Sequence, residues 1–183
     1  MPTTRTITVY KFNELSEQAQ HKALERFRDI NVDYDWSEHI YEDAKTVGIR
    51  ITGFNLGKNK INGHLAENLL EAFKLVRKHH GKDCEIFKTA QDHLDKYIQA
   101  FIKWYDKESK RDNACGEWSR VDWLREFAYE DEADEIGKDY LHSILEDYLI
   151  TLRKEYEYQT SRKQIIESIQ VNEYEFHEDG SLA

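Results

Sequence analysis

Two hydrophobic periods alternate along the chain. Residues 5–12, Arg-Thr-Ile-Thr-Val-Tyr-Lys-Phe, are β-branched and aromatic and predict a strand. Ser16, followed by Glu17, marks a helix start, and Ala19, Ala23, Phe27 and Ile30 then share one helical face. Asp35 caps a second helix with Glu38 as its capping-box partner. Trp36, Ile40, Ala44 and Val47 line the inner face of that helix, and Gly48 ends it. Residues 49–56 alternate as a strand with Gly53 as a bulge, and Gly57-Lys58-Asn59-Lys60 predicts a hairpin turn into a short strand near 60–65.

Beyond this point the period is helical. Leu69, Leu70, Phe73 and Val76 face one way, with Gly81 closing their helix. Phe87, Ala90, Leu94, Ile98, Phe101 and Tyr105 predict one long helix over 84–109, about 38 Å at 1.5 Å per residue. A polar loop over 111–119 leads to Ser119, which caps a shorter helix carrying Val121, Leu124 and Phe127. A second long helix is expected over 138–158, with Leu141, Leu145, Tyr148, Leu152 and Tyr156 on one face. Ser161 and Gln164 form a capping box for a last helix carrying Ile165, Ile166 and Ile169, and Glu173-Tyr174-Glu175-Phe176 alternates as a strand. A lone strand there is not stable, so it is expected to return to the N-terminal strands. The expectation is an α+β fold: a small antiparallel sheet from the N-terminal strands plus the C-terminal strand, with a predominantly helical middle. It is a single domain over 1–183, with 66–160 as a helical insertion lobe.

Composition narrows the function classes. Aromatic residues make up 13% of the 183, too many for a disordered acidic tail. A net charge of −10 argues against a general nucleic-acid coat and against docking on anionic membranes. No run of about 18 apolar residues predicts a membrane span, and the start Met1-Pro2-Thr3-Thr4 leads straight toward a strand, so no secretory signal is expected. Cys84 and Cys115 stand 31 residues apart and predict two reduced thiols in a cytoplasmic protein, neither with a cationic neighbour in sequence that would activate it.

The charge is unevenly placed. Residues 1–110 hold 18 Lys+Arg and 17 Asp+Glu, whereas 111–183 hold 8 and 19, a net of −11. It peaks at Glu126, Glu130, Asp131, Glu132, Asp134 and Glu135, flanked by Asp122 and Asp139, with Glu146-Asp147 beyond. Such a run serves as a solvated helix end that favours the helix dipole, or as a surface that meets a basic partner and stands in for phosphates. The run lacks the glycine and the spacing of a calcium loop. Asp122, Trp123, Glu126, Glu130, Asp131, Glu132, Asp134, Glu135 and Asp139 are the candidate partner-binding residues.

No phosphate-loop, dinucleotide, nucleophile-elbow or H-E-x-x-H motif occurs. His39, Glu42 and Asp43 share helical spacing, as do Asp139 and His142, but the doubled Glu-x-x-His of carboxylate bundle proteins is absent. His79-His80 is expected to complement a helix C-terminus. Trp36 and Trp104 read as core, and Trp118 and Trp123, beside the acidic run, as interface aromatics. No catalytic residue, metal or cofactor is assigned. Locally, Lys58, Lys60, Arg77 and Lys78 could still touch a phosphate.

The block Tyr10-Lys11-Phe12-Asn13-Glu14-Leu15-Ser16-Glu17-Gln18-Ala19 runs on to Asp29-Ile30-Asn31-Val32-Asp33-Tyr34-Asp35-Trp36. It continues through Glu42-Asp43-Ala44, Gly48-Ile49 and Ile51-Thr52-Gly53-Phe54, and the chain closes with Asn172-Glu173-Tyr174-Glu175-Phe176 and Asp179-Gly180. These motifs resemble a group of small acidic proteins of bacteriophages and prophages, mostly without assigned activity, over about 1–56 and 161–180. The resemblance carries over no catalytic residue. It implies a non-enzymatic phage-encoded inhibitor of a host defence system, anti-CRISPR or otherwise anti-nuclease, acting in the host cytoplasm. Its expected partner is a host protein with a basic surface, a nuclease or nucleic-acid-binding effector, rather than nucleic acid itself or a membrane. The alternatives are a metal-dependent enzyme acting on nucleotides or nucleic acid, and a self-associating phage regulatory protein.

Overall fold

A computed structural model describes residues 7–110 and 119–183. The fold is α+β, helices with two antiparallel sheets of two strands each. The chain divides into two compact units, Met1–Glu38 with Arg153–Ala183, and His39–Leu152. The expected lobe over 66–160 falls mostly in the second unit, which also takes in the preceding hairpin. Residues 111–118 of the predicted loop, with Cys115 and Trp118, lie outside the described residues, as does the start of the strand expected over 5–12.

In the first unit, β1 (Tyr10–Lys11) pairs antiparallel with β4 (Glu175–Phe176), Tyr10 opposite Phe176. The return of the C-terminal strand to the N-terminus is thus as expected, but both strands are shorter. A 3-10 turn takes over at Phe12, and Glu173 has φ 54°, which ends the preceding helix rather than starting a strand. Ser16 caps α1 (Glu17–Arg26), its Oγ accepting from Ala19 N at 3.3 Å. The helix stops before Phe27, so Ile30 lies beyond it. Ser161 caps α7 (Arg162–Val171), without the reciprocal Gln164 contact of a capping box. The small faces of α1, Ala19 and Ala23, meet Ile165 and Ile169 of α7 around Phe12 and Phe176. Close approach of α1 to its neighbours is what alanine at these two positions permits.

In the second unit, α2 (Glu38–Thr46) buries Ile40 and Ala44. Strands β2 (Ile49–Asn55) and β3 (Lys60–Leu65) form a hairpin with the irregularity between Ile51 and Gly53 that the sequence places at Gly53. This hairpin is a sheet of its own, so the single sheet expected from all the strands is corrected to two. Gly63 permits a close approach: a Cβ there would sit 2.7 Å from Arg50 O and 2.8 Å from the Leu145 side chain. Helix α3 (Leu69–His79) is capped by Asn68, and α4 (Glu85–Glu108) follows after a short turn. Ser119 and Asp122 form a capping box on α5 (Arg120–Phe127).

The largest correction concerns α6. It runs over Asp131–Gln159, 29 residues, and so begins seven residues before the expected start at 138. Gly137 lies inside the helix rather than before it. Three acids in the first turn, Asp131, Glu132 and Asp134, complement the helix dipole, which offsets the cost of an interior glycine of about 1 kcal/mol. Buried Tyr140, Ile144, Tyr148 and Leu152 anchor the helix, with Phe73 edge-on to Tyr140 at 4.8 Å. No described helix is long and apolar enough to cross a membrane.

Candidate functional site

The extension of α6 changes the meaning of the acidic run. Glu132, Glu135, Asp139 and Glu146 fall at steps of three, four and seven, and hence on one face of the helix. All four are exposed, as are Glu126, Asp131 and Asp134. The stripe covers about 21 Å at 1.5 Å per residue. Carboxylates one or two turns apart in water repel modestly, so the helix tolerates them while their field adds up outside the molecule.

Internal cations neutralise only part of the run. Lys138 Nζ lies 2.8 Å from both Asp134 Oδ2 and Glu135 Oε1. Those two hydrogen bonds hold its ammonium well above the ordinary lysine range. Arg125 reaches Asp122 at 3.6 Å, and His142 reaches Glu146 at 3.4 Å. Glu126, Glu130, Asp131, Glu132 and Asp139 have no ion-pair partner among the described residues.

Two of the nine sequence candidates are committed elsewhere. Asp122 accepts hydrogen bonds from Ser119 N at 3.0 Å and Ser119 Oγ at 2.7 Å, and these bonds lower its carboxyl below the usual range. It caps α5. Trp123 is buried, edge-on to Trp104 at 5.7 Å and to Tyr105 at 5.3 Å. The sequence reading of Trp123 as an interface aromatic is therefore corrected to a core role. A shorter amphipathic helix buries the residues facing α4, and Trp123 with Phe127 forms that face, while Val121 is 56% exposed.

The exposed aromatic beside the acids is Tyr129, 88% accessible between α5 and α6. Its signal in the sequence was position alone: it stands among acids, off the apolar face of either helix. Tyr129 and Val121 also border a surface groove of about 1210 Å³ among α3, α4, α5 and α6. Leu70, Phe73, Leu94, Tyr97, Leu124 and Leu141 line it, with Lys74, Arg77, Arg125 and Lys138 among its polar residues.

Two of the α2 carboxylates at helical spacing from His39 have other partners. Glu42 pairs with Lys45 at 3.3 Å, while Asp43 points to Tyr148 and His80. Among the described residues, no three His, Cys, Asp or Glu side chains converge as a metal site. Asp147, half-buried on α6, accepts from Thr89 Oγ1 at 2.6 Å, and burial raises its carboxyl above the ordinary range despite that bond. No protein-family model, curated protein or solved structure matches the chain.

Proposed function

We propose that the protein is a phage-encoded inhibitor that occupies a basic surface of a host defence nuclease or nucleic-acid-binding effector. The observation that carries this reading is the set of exposed acids on α5 and α6, where Glu126, Asp131, Glu132 and Asp139 lack an internal cation, with half-buried Glu130 between the two helices. A fully exposed carboxylate gains little from partners inside its own fold, whereas a row of them steers a basic partner in and lowers the energy of its cationic groove. Tyr129 supplies the apolar contact that charge alone does not, since aromatic anchors carry much of the energy of protein interfaces. The phage setting rests on the sequence resemblance. Four carboxylates over the stripe give a lower linear charge than one phosphate per 3.4 Å on a DNA strand, so Tyr129 and neighbouring contacts are needed to compete with nucleic acid.

The test is affinity capture from infected host lysate at low and high salt, with the protein and a Glu126→Lys, Glu130→Lys, Asp139→Lys variant. Glu126 and Asp139 lie outside the first turn of α6, whereas Glu130 stands directly before Asp131 at its start, so circular dichroism checks that the variant keeps its fold. Capture of a nucleic-acid-binding protein that weakens with salt and is lost in the variant supports the reading. Capture unchanged by both overturns it.

A further inference from the structure

The corner between α3 and α4 holds chemistry that the acidic face does not use. His80 is the C-cap of α3, its N–H bonded to Val76 O at 2.9 Å. Cys84 is the N-cap of α4, its N–H closing the turn on Gly81 O at 3.0 Å. The five-residue turn thereby sets Cys84 Sγ 3.6 Å from His80 Nδ1. The other ring nitrogen, Nε2, lies 3.4 Å from Asp43 Oδ2 on α2. That contact is within ion-pair reach but off the hydrogen-bond line, and the buried Nε2 has no other partner among the described residues. Asp43 Oδ2 is in turn fixed by the phenol of Tyr148 on α6, which donates at 2.9 Å.

We propose that Cys84 is a nucleophilic thiol with His80 as its general base, and that it takes acyl groups from ester or thioester substrates. The tautomer follows from the two neighbours. The charge of the Asp43 carboxylate 3.4 Å from Nε2, rather than an aligned hydrogen bond, favours the ring proton on Nε2 and so leaves the Nδ1 lone pair toward the thiol. A nucleophile, a base within reach and a third group that orients the base form the general arrangement for covalent catalysis. The helix start adds the remaining part. Cys84 makes no side-chain cap, and the first-turn amides of Glu85, Ile86 and Phe87 have no partner among the described residues. Such amides stabilise the negative oxygen that forms when a thiol adds to a carbonyl.

Cys84 Sγ bonds to the acyl carbon and its proton passes to His80 Nδ1. The bond to the leaving alcohol or thiol breaks, and that group departs with the proton from His80. Water, deprotonated by His80, then attacks the thioester, releases the acid and restores the thiol. Asp43 is a positioning residue here. The charged or titratable groups around the pair include Asp43 of α2, Tyr148 of α6, Asp83 of the turn, and Glu85 and Lys88 of α4, which pair with each other at 2.6 Å. None of these residues belongs to the acidic face, so this activity and the binding function fail or stand separately.

The test uses the full chain carrying Cys115→Ser, with p-nitrophenyl acetate as the acyl donor. The expected result is a burst of one nitrophenolate per chain, absent after Cys84→Ser and slowed at least about 100-fold by His80→Gln, at the low end of base catalysis. Asp43→Asn is expected to shift the pH profile of acylation while the burst stays stoichiometric. His80 is nearly enclosed, so circular dichroism checks the fold of its variant. A second arm leaves His80 intact: iodoacetamide is expected to alkylate Cys84 faster than free cysteine at neutral pH. No burst above that of Cys84→Ser, a His80→Gln variant acylated at the parent rate, or alkylation no faster than free cysteine overturns the proposal.

Discussion

The phenol of Tyr148 donates a hydrogen bond to Asp43 Oδ2 at 2.9 Å, tying α6 to α2 across 105 residues of sequence. Tyr148 is almost fully buried, and burial first, then the Asp43 carboxylate, hold the phenol neutral well above its ordinary range. Tyr148→Phe keeps the packing and removes the donor to a charged acceptor. The expected loss is about 1–2 kcal/mol by urea unfolding, with an unchanged m-value. A variant as stable as the parent would show that the bond contributes nothing net.

Gly180 stands at φ +82°, and a Cβ there would run into the backbone carbonyl of Ala19. The left-handed backbone costs an L-residue about 1–2 kcal/mol, and displacing a packed neighbour typically costs about 1–3 kcal/mol more. Gly180→Ala is therefore expected to destabilise the first unit by about 2–5 kcal/mol. Thermal unfolding reads the total. Amide exchange of α1 shows whether the loss is local to that contact.

Asp179 is held well below the ordinary carboxylate range, first by Lys22 Nζ and then by Ser181. A depressed acid stabilises the folded state above the unfolded pKa and loses that contribution as pH falls through the folded value. Asp179→Asn should thus be less stable than the parent above about pH 5, with the gap narrowing as pH falls below about 4. A gap that stays constant down to low pH would assign the effect to lost packing or hydrogen bonding instead.

Asp131 and Glu126 carry the same charge in different settings. Asp131 opens α6, where reversal to lysine opposes the helix dipole at an expected cost of about 0.3–1 kcal/mol. Glu126 is near the end of α5, and Glu126→Lys is expected to change stability by no more than about 0.5 kcal/mol. Equal losses at both positions, measured by urea unfolding at low salt, would contradict the dipole assignment.

Much of the local architecture was legible. Caps at Ser16, Ser119 and Ser161, the bulge at Gly53, the hairpin, and the long helix ending near 108 are all short-range consequences of hydrogen bonding and period. The start of α6 was missed because an interior glycine and a dense acidic run both look like a break. Favourable interaction of those acids with the N-terminal dipole and burial of Ala133 and Tyr140 outweigh them. Trp123 was misplaced because acidic neighbours in sequence do not decide which way a helical side chain turns.

The sequence by itself determined the class of fold, most helix ends and the concentration of negative charge after residue 110, because these depend on local backbone chemistry and on counting. Tertiary structure decided how the acids line up along α6, that the strands form two sheets rather than one, and that Asp43, His80, Cys84 and Tyr148 meet. Cys84 had no activating neighbour within its own stretch except a histidine four residues back. Only a turn that points both side chains the same way, packed against α2 and α6, brings a base and its carboxylate to the thiol.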